Sequence, residues 1–444
     1  MSVLRYLFAC WLLFFTLSGR AQKQVASIAE KYLLRDAQLS GAHIGISVYD
    51  VSLGKDAYNY QGDKFFVPAS NTKIMTCYAA MKYLAPVVPG IRYYENDTAV
   101  YLSPTADPSL LHRDFMHQPV IGFLQRQTKK MYISGAGWKG KPLGPGWSWD
   151  DYNEAYMTER NALPVYGNTI LWVQERMSNS LGSADSSVSV YSDPEISWKV
   201  KFAPDTANGG FSVTRDRDQN IFNVTEGREK YKTTETPFVV NGIESALELL
   251  KDTIGKEIVI AEPPAVLPSE WQTIPSYPVD SLLRPMMYRS DNFMAEQLLL
   301  MVSGSQLSVI DDSAIIEALL AKEFDGFAQK PEWVDGSGLS RYNLFTPKSF
   351  VYILNKMRAE FGMGRIKTIF PSGGDGTLQG FYQKEKGALY AKTGSMSGVI
   401  ALSGYLYTKS NKLLVFSVMV NNFNGKASVA RRKIERFISE LRNS

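Results

Sequence analysis

The chain has 444 residues, 45% of them apolar, with 48 Lys and Arg against 44 Asp and Glu for a net charge of +4. That length exceeds one ordinary hydrophobic core and predicts two or three domains. The near balance of charge excludes the basic footprint of a nucleic-acid binder, so no nucleic-acid partner is expected.

In chain order, the first feature is Arg5 followed by an apolar run from Tyr6 to Leu17, then Ser18-Gly19-Arg20-Ala21. This reads as a secretory signal over residues 1–21, with cleavage after Ala21 and export to the periplasm or cell envelope. The run is too short for a membrane span. Cys10 lies inside it rather than after it, which argues against lipidation. No later stretch is apolar enough to be a transmembrane anchor of the mature chain. Cys77 would then be the one remaining cysteine, with no internal disulfide, and reads as a small core residue.

Helical periodicity marks Val25–Leu39, Ile243–Ile254, Val279–Tyr288, Phe293–Val302 and Ser428–Leu441. Short alternating runs such as Ser187–Tyr191 and Trp198–Phe202 read as strands. Val399–Tyr407 and Leu413–Val420, joined by Lys409-Ser410-Asn411-Lys412, read as an antiparallel meander.

Three short strings fall at element boundaries. Ser70-Asn71-Thr72-Lys73 follows Pro68 and opens a helical pattern over Ile74–Met81. Ser70 therefore sits at a helix N-terminus, where free N–H groups favour negative charge, and Lys73 at i+3 shares its face. Ser290-Asp291-Asn292 separates two helices. Lys392-Thr393-Gly394 lies in the strand before the meander, and a glycine there signals close approach of another backbone or a ligand. Each string alone has a bland reading: an N-cap serine with a solvated lysine, an interhelical turn, an edge-strand lysine. A second S-x-x-K, Ser52 to Lys55, lies in a Leu-Gly turn with no helix behind it and reads as a chance match.

The set of S-x-x-K, S-D-N and K-T-G in this order resembles the signature shared by penicillin-binding proteins and class A β-lactamases. The histidines, His43, His112 and His117, fit neither a Ser-His-Asp triad nor an H-E-x-x-H metal site, so the base must be a lysine. More than two hundred residues separate Lys73 from Ser290, and no E-x-x-L-N segment supplies a deacylating glutamate. The long insertion resembles the class C low-molecular-mass penicillin-binding proteins, the D-alanyl-D-alanine carboxypeptidase/endopeptidase family. Ala106-Asp107-Pro108-Ser109-Leu110, Gly144–Asp151, Asp335–Arg341, Asp375–Leu378 and Leu402–Leu406 are also similar to segments of that family.

The resemblance implies an α/β (α+β) fold, a penicillin-binding transpeptidase-like (β-lactamase-like) domain interrupted by two nested inserts. Residues 22–92 and 268–444 would form the transpeptidase-like domain, an antiparallel sheet with helices on both faces. Residues 93–167 and 239–267 would form insert domain II, and 168–238 a β-rich domain III. It implies a serine-type carboxypeptidase acting on peptidoglycan stem peptides, inhibited by β-lactams and needing neither metal nor organic cofactor. Ser70, Lys73, Ser290, Asn292 and Lys392 would be catalytic. Thr393, Gly394 and Ser395 would bind substrate, with the N–H groups of Ser70 and Ser395 facing the oxyanion. Asp151, Tyr156 and Met396 resemble the residues with which family members meet diaminopimelate in the stem peptide. The competing functions are a β-lactamase and a non-catalytic penicillin- or peptidoglycan-recognising protein.

Overall fold

In the computed structural model, residues 23–177, 187–203, 209–265 and 267–444 are described. The signal segment, with Cys10 and Ala21, lies outside the described residues. Backbone contacts gather the chain into two compact units. The first takes the described residues up to Tyr78, Leu283–Asp291 and Ile316–Ser444; the second takes Ala79–Leu282 and Asn292–Ile315.

The first unit is organised by a five-stranded antiparallel sheet in the order Leu389–Met396, Val399–Tyr407, Leu413–Asn421, His43–Asp50, Lys55–Tyr60. The meander runs as its sequence predicts, and His43 pairs with Asn421 across the middle. The central strands are buried on both faces, so they read as continuous apolar runs rather than alternating ones. Ile44, Ile46, Val48, Ile400, Leu402, Phe416, Val418 and Val420 enter one cluster. Against them lie Val25, Ala29 and Leu33 from the start of the chain, and Ala430, Ile434, Phe437, Ile438 and Leu441 from the helix Ala427–Asn443. The alternating residues face the other way, where Tyr405 donates to the carbonyl of Leu354 in the helix Pro347–Ile369. The sheet thus has helices on both faces.

The first helix is shorter than its periodicity predicts. Residues 23–29 are helical, a π turn follows over Glu30–Leu34, and the helix stops there. Asp36 ends it by accepting the N–H of Gln38, a local turn that competes with helix continuation.

Among the described residues the second unit holds three sheets. One has the order Ile258–Ile260, Lys130–Ile133, Ala99–Pro104, Val87–Glu95, Gln272–Pro278. Residues 87–92 and 272–278, placed in the outer domain on the sequence, pair with each other in this sheet. Segment 168–238 builds two three-stranded sheets: Tyr231–Pro237, Thr169–Met177, Ser187–Asp193, and Lys199–Ala203, Ile221–Thr225, Ser212–Arg215. The amphipathic helix Glu244–Ile254 ends at Gly255, whose left-handed φ of 68° closes it. Among the described residues no helix is long and apolar enough to cross a membrane.

Candidate active site

Ser70 lies on a tight turn rather than a regular helix. Pro68 precedes a 3-10 turn, Ala69–Thr72, and the α-helix begins only at Lys73 and runs to Tyr83. In 3-10 geometry, side chains at i and i+3 eclipse. That brings Lys73 Nζ to 3.2 Å from Ser70 Oγ. Lys73 is fully buried, Ser70 half-buried. Asn71 ties the turn to the sheet, donating from Nδ2 to Ser403 Oγ at 2.7 Å, and Ser403 stands opposite Lys392.

Lys73 also donates to the carbonyl of Ser337 at 2.7 Å. That carbonyl belongs to Asp335-Gly336-Ser337-Gly338, a segment matched to the family on sequence without a role of its own. Asp335 is fully buried and shapes the loop. Its carboxylate accepts from the N–H of Gly338 (2.8 Å), the N–H of Ser340 (2.6 Å) and Asn343 Nδ2 (2.8 Å). Gly338 has φ +81°, and a β-carbon there would stand 1.9 Å from the carbonyl oxygen of Ala69. Only glycine fits this approach.

Lys392 projects from the strand Leu389–Met396 and is also fully buried. Its Nζ donates to Ser290 Oγ and to the carbonyl of Thr393, each at 2.8 Å. Burial pushes its pKa well below the ordinary lysine value, and the nearby Lys73 pushes it further down. Gly394 meets the expectation of close approach: a β-carbon there would lie 2.5 Å from the carbonyl oxygen of Pro68 and 3.2 Å from the N–H nitrogen of Asn71. The K-T-G strand therefore packs directly on the nucleophile turn.

Ser290 adopts φ +62°, a left-handed conformation costly for a residue with a β-carbon. It sits between the helices Val279–Tyr288 and Asn292–Leu307, as the sequence predicts. Asp291 pairs with Arg289 at 3.7 Å, in keeping with a local role. The first unit thus brings together Ser70, Lys73, Ser290, Lys392 and Gly394. Thr393 is half-buried and Ser395 exposed on the same strand, with Met396 half-buried at its end.

Asn292, Asp151 and Tyr156 belong to the second unit. Asn292 Nδ2 donates to the backbone carbonyl of Tyr156 at 2.9 Å. Tyr156 is 46% exposed. Burial of its ring, a hydrogen bond to Asp151 and that carboxylate's charge push its phenol up to about 12. Arg160, missed on sequence, anchors this stretch: its Nη1 donates to Glu296 Oε2 (3.0 Å) and Asp312 Oδ2 (2.8 Å). Glu296 stands one helical turn after Asn292.

The second S-x-x-K is a turn between the strands His43–Asp50 and Lys55–Tyr60. Ser52 Oγ donates to Asp50 Oδ1 at 2.5 Å, and Gly54 has φ +66°. Cys77 is buried on the nucleophile helix.

This chain is similar to several characterised proteins over most of its length. It is 27% identical over 453 residues to the D-alanyl-D-alanine carboxypeptidase of Actinomadura sp. (strain R39), covering 90% of this chain and 81% of that one. It is 22% identical over 422 residues to D-alanyl-D-alanine carboxypeptidase DacB of Haemophilus influenzae, covering 86% of each. The crystal structure of penicillin binding protein 4 (dacB) from Haemophilus influenzae superimposes with a TM-score of 0.72 at 21% identity, over 94% of this chain and 98% of that chain. That likeness establishes the penicillin-binding-protein fold. The model of the D-Ala-D-Ala carboxypeptidase 3 (S13) family matches residues 24–441, and the chain, a serine-type carboxypeptidase, belongs to that family.

Proposed function

We propose that Ser70 is the nucleophile of a D-Ala-D-Ala carboxypeptidase and endopeptidase acting on peptidoglycan stem peptides. The observation that carries this reading is the 3.2 Å contact between Ser70 Oγ and a lysine amine that is itself anchored on a backbone carbonyl. Lys73, as a neutral amine, takes the Ser70 proton while Oγ attacks the penultimate carbonyl carbon. The tetrahedral oxyanion rests on the N–H groups of Ser70 and Ser395. Ser290 passes a proton to the departing amine, the C–N bond breaks, and D-alanine leaves. Water then attacks the acyl-enzyme ester, giving the shortened peptide and free Ser70.

Asn292 holds the substrate amide. Lys392 and Thr393 receive the terminal carboxylate, with Gly394 leaving room for the strand to lie against the nucleophile turn. Asp151 meets the ammonium of diaminopimelate, Tyr156 orients that carboxylate, and Met396 packs on the methylenes. A cross-link is cut by the same groups, and a β-lactam, which imitates the substrate, leaves a slow ester on Ser70. Export to the periplasm or cell envelope, after removal of residues 1–21, puts the enzyme beside its substrate. Residues 22–92 and 268–444 are the transpeptidase-like domain in this reading, with 93–167 and 239–267, then 168–238, as the inserts.

The test incubates the mature protein with purified cross-linked and uncross-linked muropeptides, followed by mass spectrometry. Loss of one alanine from pentapeptides and splitting of dimers are expected, both absent from Ser70→Ala and unchanged in Ser52→Ala. Labelled penicillin should attach to the tryptic peptide holding Ser70. Full turnover by Ser70→Ala, or an adduct elsewhere, would overturn the reading.

A further inference from the structure

A lysine base must aim a lone pair, and a flexible four-carbon stem does not do so by itself. A neutral amine has two N–H groups and one lone pair. In this chain one N–H of Lys73 is committed to the carbonyl of Ser337 at 2.7 Å. The place of that carbonyl therefore constrains where the lone pair can point relative to Ser70 Oγ. Asp335 gives the loop its shape through bonds to Gly338, Ser340 and Asn343, and a residue of the nucleophile helix must seat that loop on the helix.

Thr76 does. It stands at i+3 from Lys73, on the same face of the helix, and is fully buried. Its hydroxyl donates to the carbonyl of Gly336 at 2.6 Å, one residue before the carbonyl that Lys73 uses. Two consecutive carbonyls of the loop thus dock on two residues of one helix face. The close seat of Gly338 against Ala69 holds the loop's other side. We propose that Thr76 is a positioning residue for catalysis: its hydroxyl sets the register of the 335–340 loop on the nucleophile helix, and the loop's next carbonyl aims the Lys73 amine at Ser70. This rests on the assignment of Lys73 as the base.

The threonine offers a clean dissection, because its methyl and hydroxyl can be removed separately. Thr76→Val keeps the shape and deletes the donor. Thr76→Ser keeps the donor and deletes the methyl. The rate of Ser70 acylation by labelled penicillin, and kcat and KM on a D-Ala-D-Ala peptide, should be measured for both. Thr76→Val should lose roughly tenfold in acylation rate and kcat with KM nearly unchanged, as expected of a base displaced by a fraction of an ångström. Thr76→Ser should stay within about twofold of the parent, since the register bond survives. Should the valine variant not fold, Thr76→Ala against Thr76→Ser makes the same comparison with less crowding. Acylation by Thr76→Val at the parent rate, or a loss in Thr76→Ser as large as in Thr76→Val, overturns the proposal. Failure of the underlying assignment looks different: the parent protein itself would not be labelled at Ser70.

Discussion

Arg160 in the second unit and Lys392 in the first are both long cations with at most 2% of their surface exposed, yet their surroundings are opposite. Burial pushes the Arg160 guanidinium towards neutrality, but Glu296 and Asp312 outweigh it and hold the pKa above its ordinary value. The side chain also stacks over the Trp147 ring at 5.4 Å and donates to the carbonyl of Lys141. The hydrogen-bond acceptors of Lys392 are a hydroxyl and a carbonyl, and Lys73, whenever it carries a proton, repels it. A buried cation that the fold has neutralised is architecture; one left among neutral oxygens beside a second amine is, in the proposed reading, open to a negative charge from outside. The difference separates a clamp from the carboxylate receptor that the proposed function makes of Lys392.

The largest expected effect tests the clamp. Arg160→Met strands two buried carboxylates and should cost about 3–5 kcal/mol of stability, whereas Lys392→Met removes a cation the fold tolerates poorly and should not destabilise. Urea unfolding of the two variants decides this; similar losses in both would erase the contrast. Next is the receptor. Lys392→Ala should slow acylation by substrates with a free terminal carboxylate by the worth of a charge-assisted hydrogen bond, roughly 1.5–3 kcal/mol, and slow their esters far less. Equal losses for acid and ester would mean that Lys392 acts elsewhere, on Lys73 for instance.

In the proposed reading Asp151 reverses the roles, an anion set to meet an incoming cation. Asp151→Asn should lower kcat/KM about tenfold for diaminopimelate peptides, since a partly exposed contact is worth on the order of 1–2 kcal/mol. An analogue N-acetylated on that amine, and a simple penicillin, should react nearly as before. Equal losses on both peptides would make the carboxylate structural.

The smallest effect is a drift with pH. Lys392 has a folded-state pKa below its unfolded value of 10.5, so the unfolded chain binds the extra proton between the two. Stability from this group is therefore lowest below the folded pKa and rises as pH climbs towards 10.5. Thermal melts of the parent should show this rise, and Lys392→Met should flatten it. An unchanged slope in the variant would assign the drift to another group.

How much of this was legible in the sequence follows from what kind of atom does the work. The three strings show because side chains act in them, and the strand around Lys392 shows because the meander after it has clear strand chemistry. Gly394 announced a close approach, though nothing in the sequence named Pro68 and Asn71 as what approaches. The grip on Lys73 was invisible because its acceptor is a backbone carbonyl, which every residue has. The 3-10 start of the nucleophile turn and the left-handed Ser290 depend on tertiary contacts that override local preference. Arg160 was missed because its partners lie 136 and 152 residues away, with no shared motif to join them.

The pairing of His43–Asp50 with Leu413–Asn421 has a consequence for how the molecule comes into being. The strand order places an early segment between Lys55–Tyr60 and the last strand of the meander, so the sheet carrying Lys392 cannot close until nearly the whole chain is available. Contacts of such sequence separation must first overcome a large loop-closure entropy, and they fold late. Until then Ile44, Ile46 and Val48 of the early strand stand uncovered along an unpaired edge, the kind of surface that aggregates or recruits chaperones. A chain cut short of residue 413 would keep Ser70 and Lys73, with no sheet on which to aim them.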